Sequence, residues 1–248
     1  VTRAVWLLVC GTLALGAPLP GLSERLGTSA SSLEQASTPQ SGQNDRLFAA
    51  RDLGLLETPD RDDWQNPNLI MDELQIADGS RVADLGTGGG WFSIRLARRV
   101  GPNGIVYAQD IQPLMIEATK RRVQLEGLGN IVPVLATEDD PKLPQRGELD
   151  AVLIVGAFHE MDDPARPEAI PTLLNHVARS LKPQGRLGIV DFLPGAGGPG
   201  PPPDERVDPD AVIEAATAAR FKLQKREEIP PFTFLLVFEK DPALKPAR

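Results

Sequence analysis

The chain has 248 residues, 41% hydrophobic and 24% charged, and a formal net charge of −8. That suffices for one domain of about 200 residues with an appendage, and the acidic balance speaks against a nucleic-acid surface, which needs clustered Lys and Arg. A single cysteine, Cys10, excludes an internal disulfide and a multi-cysteine zinc site; His159 and His176 lack metal-ligand spacing, so no metal is expected and a small molecule is the expected partner.

Residues 1–22 carry one charge, Arg3, before an apolar stretch from Ala4 to Ala17 that is short for a bilayer span and similar to a secretory signal. Export or anchoring by this leader, with membrane contact only through it, is one expectation; a cytoplasmic protein starting further downstream is the other. Residues 23–45, rich in Ser, Gln, Thr and Gly, read as a flexible linker, 46–240 as the folded domain and 241–248 as a tail. Asp45–Leu56 and Asn66–Ile76 place apolar residues at helical spacing and predict a helical extension over 46–80. Between them, Thr58 to Trp64 reads as an acidic loop whose Trp64 either plugs the core or lines a substrate pocket.

From Arg81 the pattern alternates: strands at 81–85, 104–109, 131–136, 149–155 and 186–193, with helices at 91–100, 113–126 and 166–181. Such alternation predicts an α/β fold, a parallel sheet doubly wound with helices on both faces. A helix at 207–219 and strands at 221–228 and 232–240, parted by Pro230-Pro231, close the domain. Arg98-Arg99 and Lys120-Arg121-Arg122 read as solvated helix ends.

The first strand runs into Asp84-Leu85-Gly86-Thr87-Gly88-Gly89-Gly90. Glycines there allow positive φ and close approach of a ligand to the backbone, at the strand end where open α/β sheets bind ligands; a turn without ligand is the alternative. The register is not that of a dinucleotide loop, since G-x-G-x-x-G counted from Gly86 would end at Trp91. Asp110 ends the second strand 24 residues after Gly86, where doubly wound folds hold ribose hydroxyls on a carboxylate. Its other reading is a cap for the helix beginning near Pro113. The Pro- and Gly-rich segment 194–203 reads as a lid or a passive connection.

Asp84, Gly86, Gly88 and Gly90 fit D-x-G-x-G-x-G, and Leu181-Lys182-Pro183-Gln184-Gly185 follows L-K-P-G-G with Gln184 in place of the first glycine. The chain thereby resembles class I S-adenosylmethionine-dependent methyltransferases. Phe158-His159-Glu160 resembles the small-molecule branch related to quinone-biosynthesis C-methyltransferases, and not the Asn/Asp-Pro-Pro-Tyr motif of enzymes that methylate base amines. The resemblance implies a single domain with a mostly parallel seven-stranded sheet, order 3-2-1-4-5-7-6 with the last strand antiparallel, and S-adenosyl-L-methionine as cofactor.

It further implies Gly86, Thr87, Gly88 and Gly90 around the methionine end, Asp84 near its ammonium group, Asp110 on the ribose, Ile111 beside the adenine and Val155 at the end of strand four. Glu138 or Asp139 would meet the adenine amino group, although both also read as a solvated acidic loop. His159 has the chemistry of a general base, with Glu160 sharing or orienting that role; a loop histidine bonded to backbone is the alternative. Trp64 and Asp191 are the candidate acceptor contacts. A non-catalytic cofactor-binding or regulatory module and an NAD-dependent oxidoreductase are the other function classes, separated by which cofactor binds.

Overall fold

The computed structural model describes residues 47–195 and 197–241, so the expected leader, the linker and Cys10 lie outside the described residues, as do 242–248. Seven strands form one sheet: β1 (Arg81–Leu85), β2 (Ile105–Asp110), β3 (Ile131–Leu135), β4 (Leu149–Val155), β5 (Leu181–Phe192), β6 (Phe221–Ile229) and β7 (Thr233–Lys240). Their order is β3-β2-β1-β4-β5-β7-β6, as the resemblance implies. β1 to β5 run parallel, and β7 is antiparallel to both its neighbours.

The central strands are largely apolar because helices cover both faces, and the two-residue period of a strand divides them between two cores. Val82, Ala151, Leu153 and Val155 pack with α2 (Pro67–Glu73) and α3 (Trp91–Val100). Ala83, Leu85, Val152 and Ile154 pack with α6 (Ala169–Ser180) and α7 (Pro209–Ala218). The other helices are α1 (Arg61–Gln65), α4 (Pro113–Glu126) and the single turn α5 (Phe158–Met161). The outer strands show the chemistry of edges: β3 tolerates Pro133, and β6 alternates half-buried and exposed positions between its buried ends, with Lys222, Lys225, Arg226, Glu227 and Glu228. No helix among the described residues is long and apolar enough to cross a membrane.

Several boundaries differ from the sequence expectation. The first predicted helix is a 3-10 turn, Ala50–Leu56, with no residue buried in the core. Gly54 lies within it and Ala49 supplies no capping side chain, so α-helix is not favoured there. Within the expected acidic loop the chain forms α1 and then turns at Asn66, whose φ is 46°. The Asn66 side chain accepts from Leu69 N–H at 3.4 Å, and Pro67 begins α2. β5 starts at Leu181, earlier than expected, because it meets β4 twice, at Leu149↔Leu181 and again from Ala151↔Arg186. The predicted turn lies between those two pairings. The helical extension docks through Leu74, which covers Gly188 of β5; a Cβ there would come within 2.6 Å of Leu74 Cδ1.

Candidate active site

The C-terminal ends of β1, β2 and β4 open onto a cavity whose floor is the glycine loop and whose roof is the segment Leu47–Glu57. The loop's shape is over-determined. Gly86 has φ +70°, and a Cβ on it would sit 2.6 Å from Ala157 Cβ, so only glycine fits without displacement. Gly86 N–H donates to the Gln109 side chain at 3.3 Å and Thr87 N–H to the Gln109 carbonyl at 2.9 Å. Gly88 N–H donates to Asp110 Oδ2 at 2.9 Å, while the Gly88 carbonyl accepts from Thr119 Oγ1 at 2.8 Å. Gly90 caps α3 at φ +80°.

Asp84 is buried beneath this loop, and its Oδ2 accepts from Ser93 Oγ at 2.6 Å and Thr87 Oγ1 at 3.1 Å. Burial pushes its carboxyl up to about 6 against those hydrogen bonds. The geometry therefore makes Asp84 the tie between the loop and the first turn of α3. Asp110 lines the same cavity; its other oxygen, Oδ1, accepts from Gln112 N–H at 2.9 Å, and burial likewise raises its pKa. Ile111 and Val155 also line the wall. At the far side Glu138 lines the cavity while Asp139 is exposed, and both pair with Arg166, with Asp139 Oδ1 2.5 Å from its Nη2.

The expected base and acceptor residues are arranged differently from a simple lining. Asp191 is 0% exposed, so its carboxylate is no part of the cavity wall. It accepts from His159 N–H at 3.1 Å and from Phe192 N–H at 2.8 Å, and its Oδ1 lies 3.0 Å from His159 Nδ1. A carboxylate only accepts, which puts the proton on Nδ1. His159, 7% exposed, sits behind the wall with its ring edge-on to Phe192, and its Nε2 is 3.9 Å from Glu160 Oε1. Glu160 reaches the cavity itself; burial pushes its carboxyl up to about 7, and its Oε2 accepts from Phe48 N–H at 3.0 Å. Trp64 lines the cavity and belongs to an aromatic wall, 6.2 Å from the Phe192 ring and 6.0 Å from that of Phe232. Trp64 is thus buried and cavity-lining at once.

Several wall residues were not named from sequence: Gln109, Gln112, Phe192, Glu57 and Arg61. Of these only Gln109 and Gln112 have a detectable cue, lying close to Asp110 at a strand end.

With this geometry in hand, comparison with known proteins is specific. Residues 82–185 match the family model described as a methyltransferase domain. Residues 82–185 are a methyltransferase domain. The chain is 32% identical over 137 residues to nocamycin O-methyltransferase from Saccharothrix syringae, covering 55% of this chain and 44% of that protein. It is 37% identical over 119 residues to the ubiquinone/menaquinone biosynthesis C-methyltransferase UbiE of Pseudomonas putida (strain GB-1), covering 47% and 43%. The chain thus spans about half the length of the curated relatives it matches. A SAM-dependent methyltransferase structure from Aquifex aeolicus superposes with a TM-score of 0.71 at 26% identity, over 77% of this chain and 98% of that one. The [4+2]-cyclase SpnF, at 16% identity and a TM-score of 0.59 over 71% of this chain and 80% of that one, shares the fold alone.

The cavity, built from the matched residues together with the segment before them and β5, has features that fit S-adenosylmethionine. A carboxylate at the end of β2 faces the cavity, a cradle that a Cβ would fill lies at the end of β1, and apolar side chains roof both. Gly86, Thr87, Gly88 and Asp110 would hold it.

Proposed function

We propose that this chain transfers a methyl group from S-adenosylmethionine to a small-molecule acceptor bound against Trp64 and Phe192. The observation that carries this reading is the shared cavity: the glycine cradle, Asp110 and the aromatic wall open onto one space. Bound there, the cofactor supplies a methyl group on a sulfonium, whose leaving group is a neutral thioether. The protein's part is then chiefly to hold acceptor and methyl in attack geometry and keep water out, which supplies roughly 7–11 kcal/mol of barrier reduction in well-oriented reactions.

The acceptor atom gives up a proton as it gains the methyl, and Glu160 is the cavity-facing group to receive it. Its carboxyl, at about 7, is close to neutrality, where a general base works best. His159 and Asp191 stand behind it in a line, Asp191 holding the proton of Nδ1 and thereby turning Nε2 towards Glu160. In this reading His159 positions and polarises Glu160, reversing the order of roles expected from sequence. Both residues belong to one unit with Asp191.

The relatives' names, an O-methyltransferase and a quinone C-methyltransferase, agree with hydroxyl or activated-carbon acceptors. Incubating the chain with methyl-labelled S-adenosylmethionine and a panel of phenols, quinols and enolic acids tests the proposal. Label in at least one organic acceptor is expected. Cofactor binding without label transfer to any acceptor of these classes would favour the non-catalytic module.

A further inference from the structure

Among the described residues, five buried side-chain polar atoms have no hydrogen-bond partner, and two of them, Glu57 Oε1 and Arg61 Nε, belong to residues that line the same cavity. They stand four positions apart, where the roof segment turns into α1, and neither is explained by the loop, the base line or the aromatic wall. Leaving such atoms unpaired costs about 1–3 kcal/mol each, and more when the group is charged.

Arg61 is a cation placed for a ligand. Its guanidinium lies over the Trp91 ring, 4.2 Å from the centroid, and its Nη1 donates to the Leu56 carbonyl at 2.5 Å. Nη2 reaches Gln65 Oε1 only at 3.4 Å, so no carboxylate is bonded to the fork. Desolvation lowers its pKa to about 10, opposed mainly by the charge of Asp84. Glu57 is its complement. Oε2 pairs with Arg122, while Oε1 points to the glycine loop, 2.9 Å from where a Cβ on Gly89 would stand.

The geometry points to Arg61 and Glu57 as a receptor for a zwitterion, the α-amino-acid end of the cofactor: Arg61 for its carboxylate and Glu57 Oε1 for its ammonium. This deepens the proposed function and rests on it. A free carboxylate and a free ammonium on one carbon offer an acceptor for Arg61 Nε–H and a donor for Glu57 Oε1, each matched in charge to its partner. The assignment also gives the ammonium a partner other than Asp84, whose Oδ2 already accepts from two hydroxyls.

The test is calorimetric titration of the full chain with S-adenosylhomocysteine and with 5′-methylthioadenosine, which keeps the nucleoside and sulfur but lacks the amino-acid end. Wild type should prefer the first ligand by roughly 10–100-fold. Arg61→Met and Glu57→Gln should each cost roughly tenfold or more for S-adenosylhomocysteine and leave methylthioadenosine within about twofold. Arg61→Lys should recover part of the loss, since it keeps the charge without the fork. Variants that hold S-adenosylhomocysteine as tightly as wild type, or that lose both ligands in equal measure, would overturn the assignment. A wild-type chain that binds methylthioadenosine and S-adenosylhomocysteine equally would overturn it while sparing the cofactor reading; one that binds neither removes both.

Discussion

At the scale of single residues, the cavity concentrates carboxyls that burial keeps from ionising easily. Asp84 at about 6, Glu160 at about 7 and Asp110 raised all bind protons more readily in the folded chain than in the unfolded one. For Glu160 the folded value lies above the ordinary value of 4.5, so the folded state holds more protons and stability falls as pH rises from about 4.5 through 7. Glu160→Gln keeps an acceptor for Phe48 N–H and removes that penalty. Thermal unfolding should show the variant equal to wild type near pH 4.5 and more stable at pH 8, by up to about 3 kcal/mol. A stability difference that is the same at both pH values would contradict the burial argument. Such a destabilising carboxyl is the kind of cost functional sites retain. Asp110 was legible from sequence because spacing alone places it; Arg61 and Glu57 were not, because a charge in an acidic stretch without periodicity looks like any solvated residue.

At the scale of elements, the roof and the floor of the site come from distant parts of the chain. The segment Leu47–Glu57 is fastened by Phe48 N–H to Glu160, by Gln112 Nε2 to the Phe48 carbonyl at 2.9 Å, and by Glu57 to Arg122. Leu53 leans onto Gly88 and Gly89. The 3.6-residue apolar spacing of this segment predicts a helix packed on a core, whereas its leucines roof a ligand cavity as a 3-10 turn. Periodicity reports which residues avoid water and not what they cover. The α2 contact is the better-defined joint. Gly188→Ala should cost about 1–3 kcal/mol by forcing Leu74 aside, and Leu74→Ala about 2–5 kcal/mol by opening a cavity. Because the two side chains contest one space, the double variant should be less destabilised than the sum, which chemical denaturation of all four proteins reads directly. Additive losses would mean the helical extension docks elsewhere. The segment 194–203, read as lid or connector, packs Gly198 against Phe232 and Gly200 against Phe192, and Arg206 Nη1 holds the Leu193 carbonyl at 3.0 Å. It backs the aromatic wall.

At the scale of the whole molecule, the strands and the doubly wound sheet were readable because each strand's apolar run and each glycine stop are local signals, whereas the strand order came from the family resemblance. The β1 loop and Asp110 were readable as local signals too. The aromatic wall was legible only in part: Trp64 was named from sequence, but Phe192 and Phe232 join it only through tertiary packing. His159 and Asp191 were named as separate candidates, and only the fold reveals them as one unit turned away from the cavity. The central claim is that this cavity binds S-adenosylmethionine through the β1 loop and Asp110. Calorimetric titration of wild type and Asp110→Ala with S-adenosylhomocysteine and with NAD tests it most directly. Wild type should bind S-adenosylhomocysteine and not NAD, and Asp110→Ala should weaken that binding by roughly tenfold or more. Tight NAD binding without S-adenosylhomocysteine, or an Asp110→Ala variant with wild-type affinity, would contradict the account.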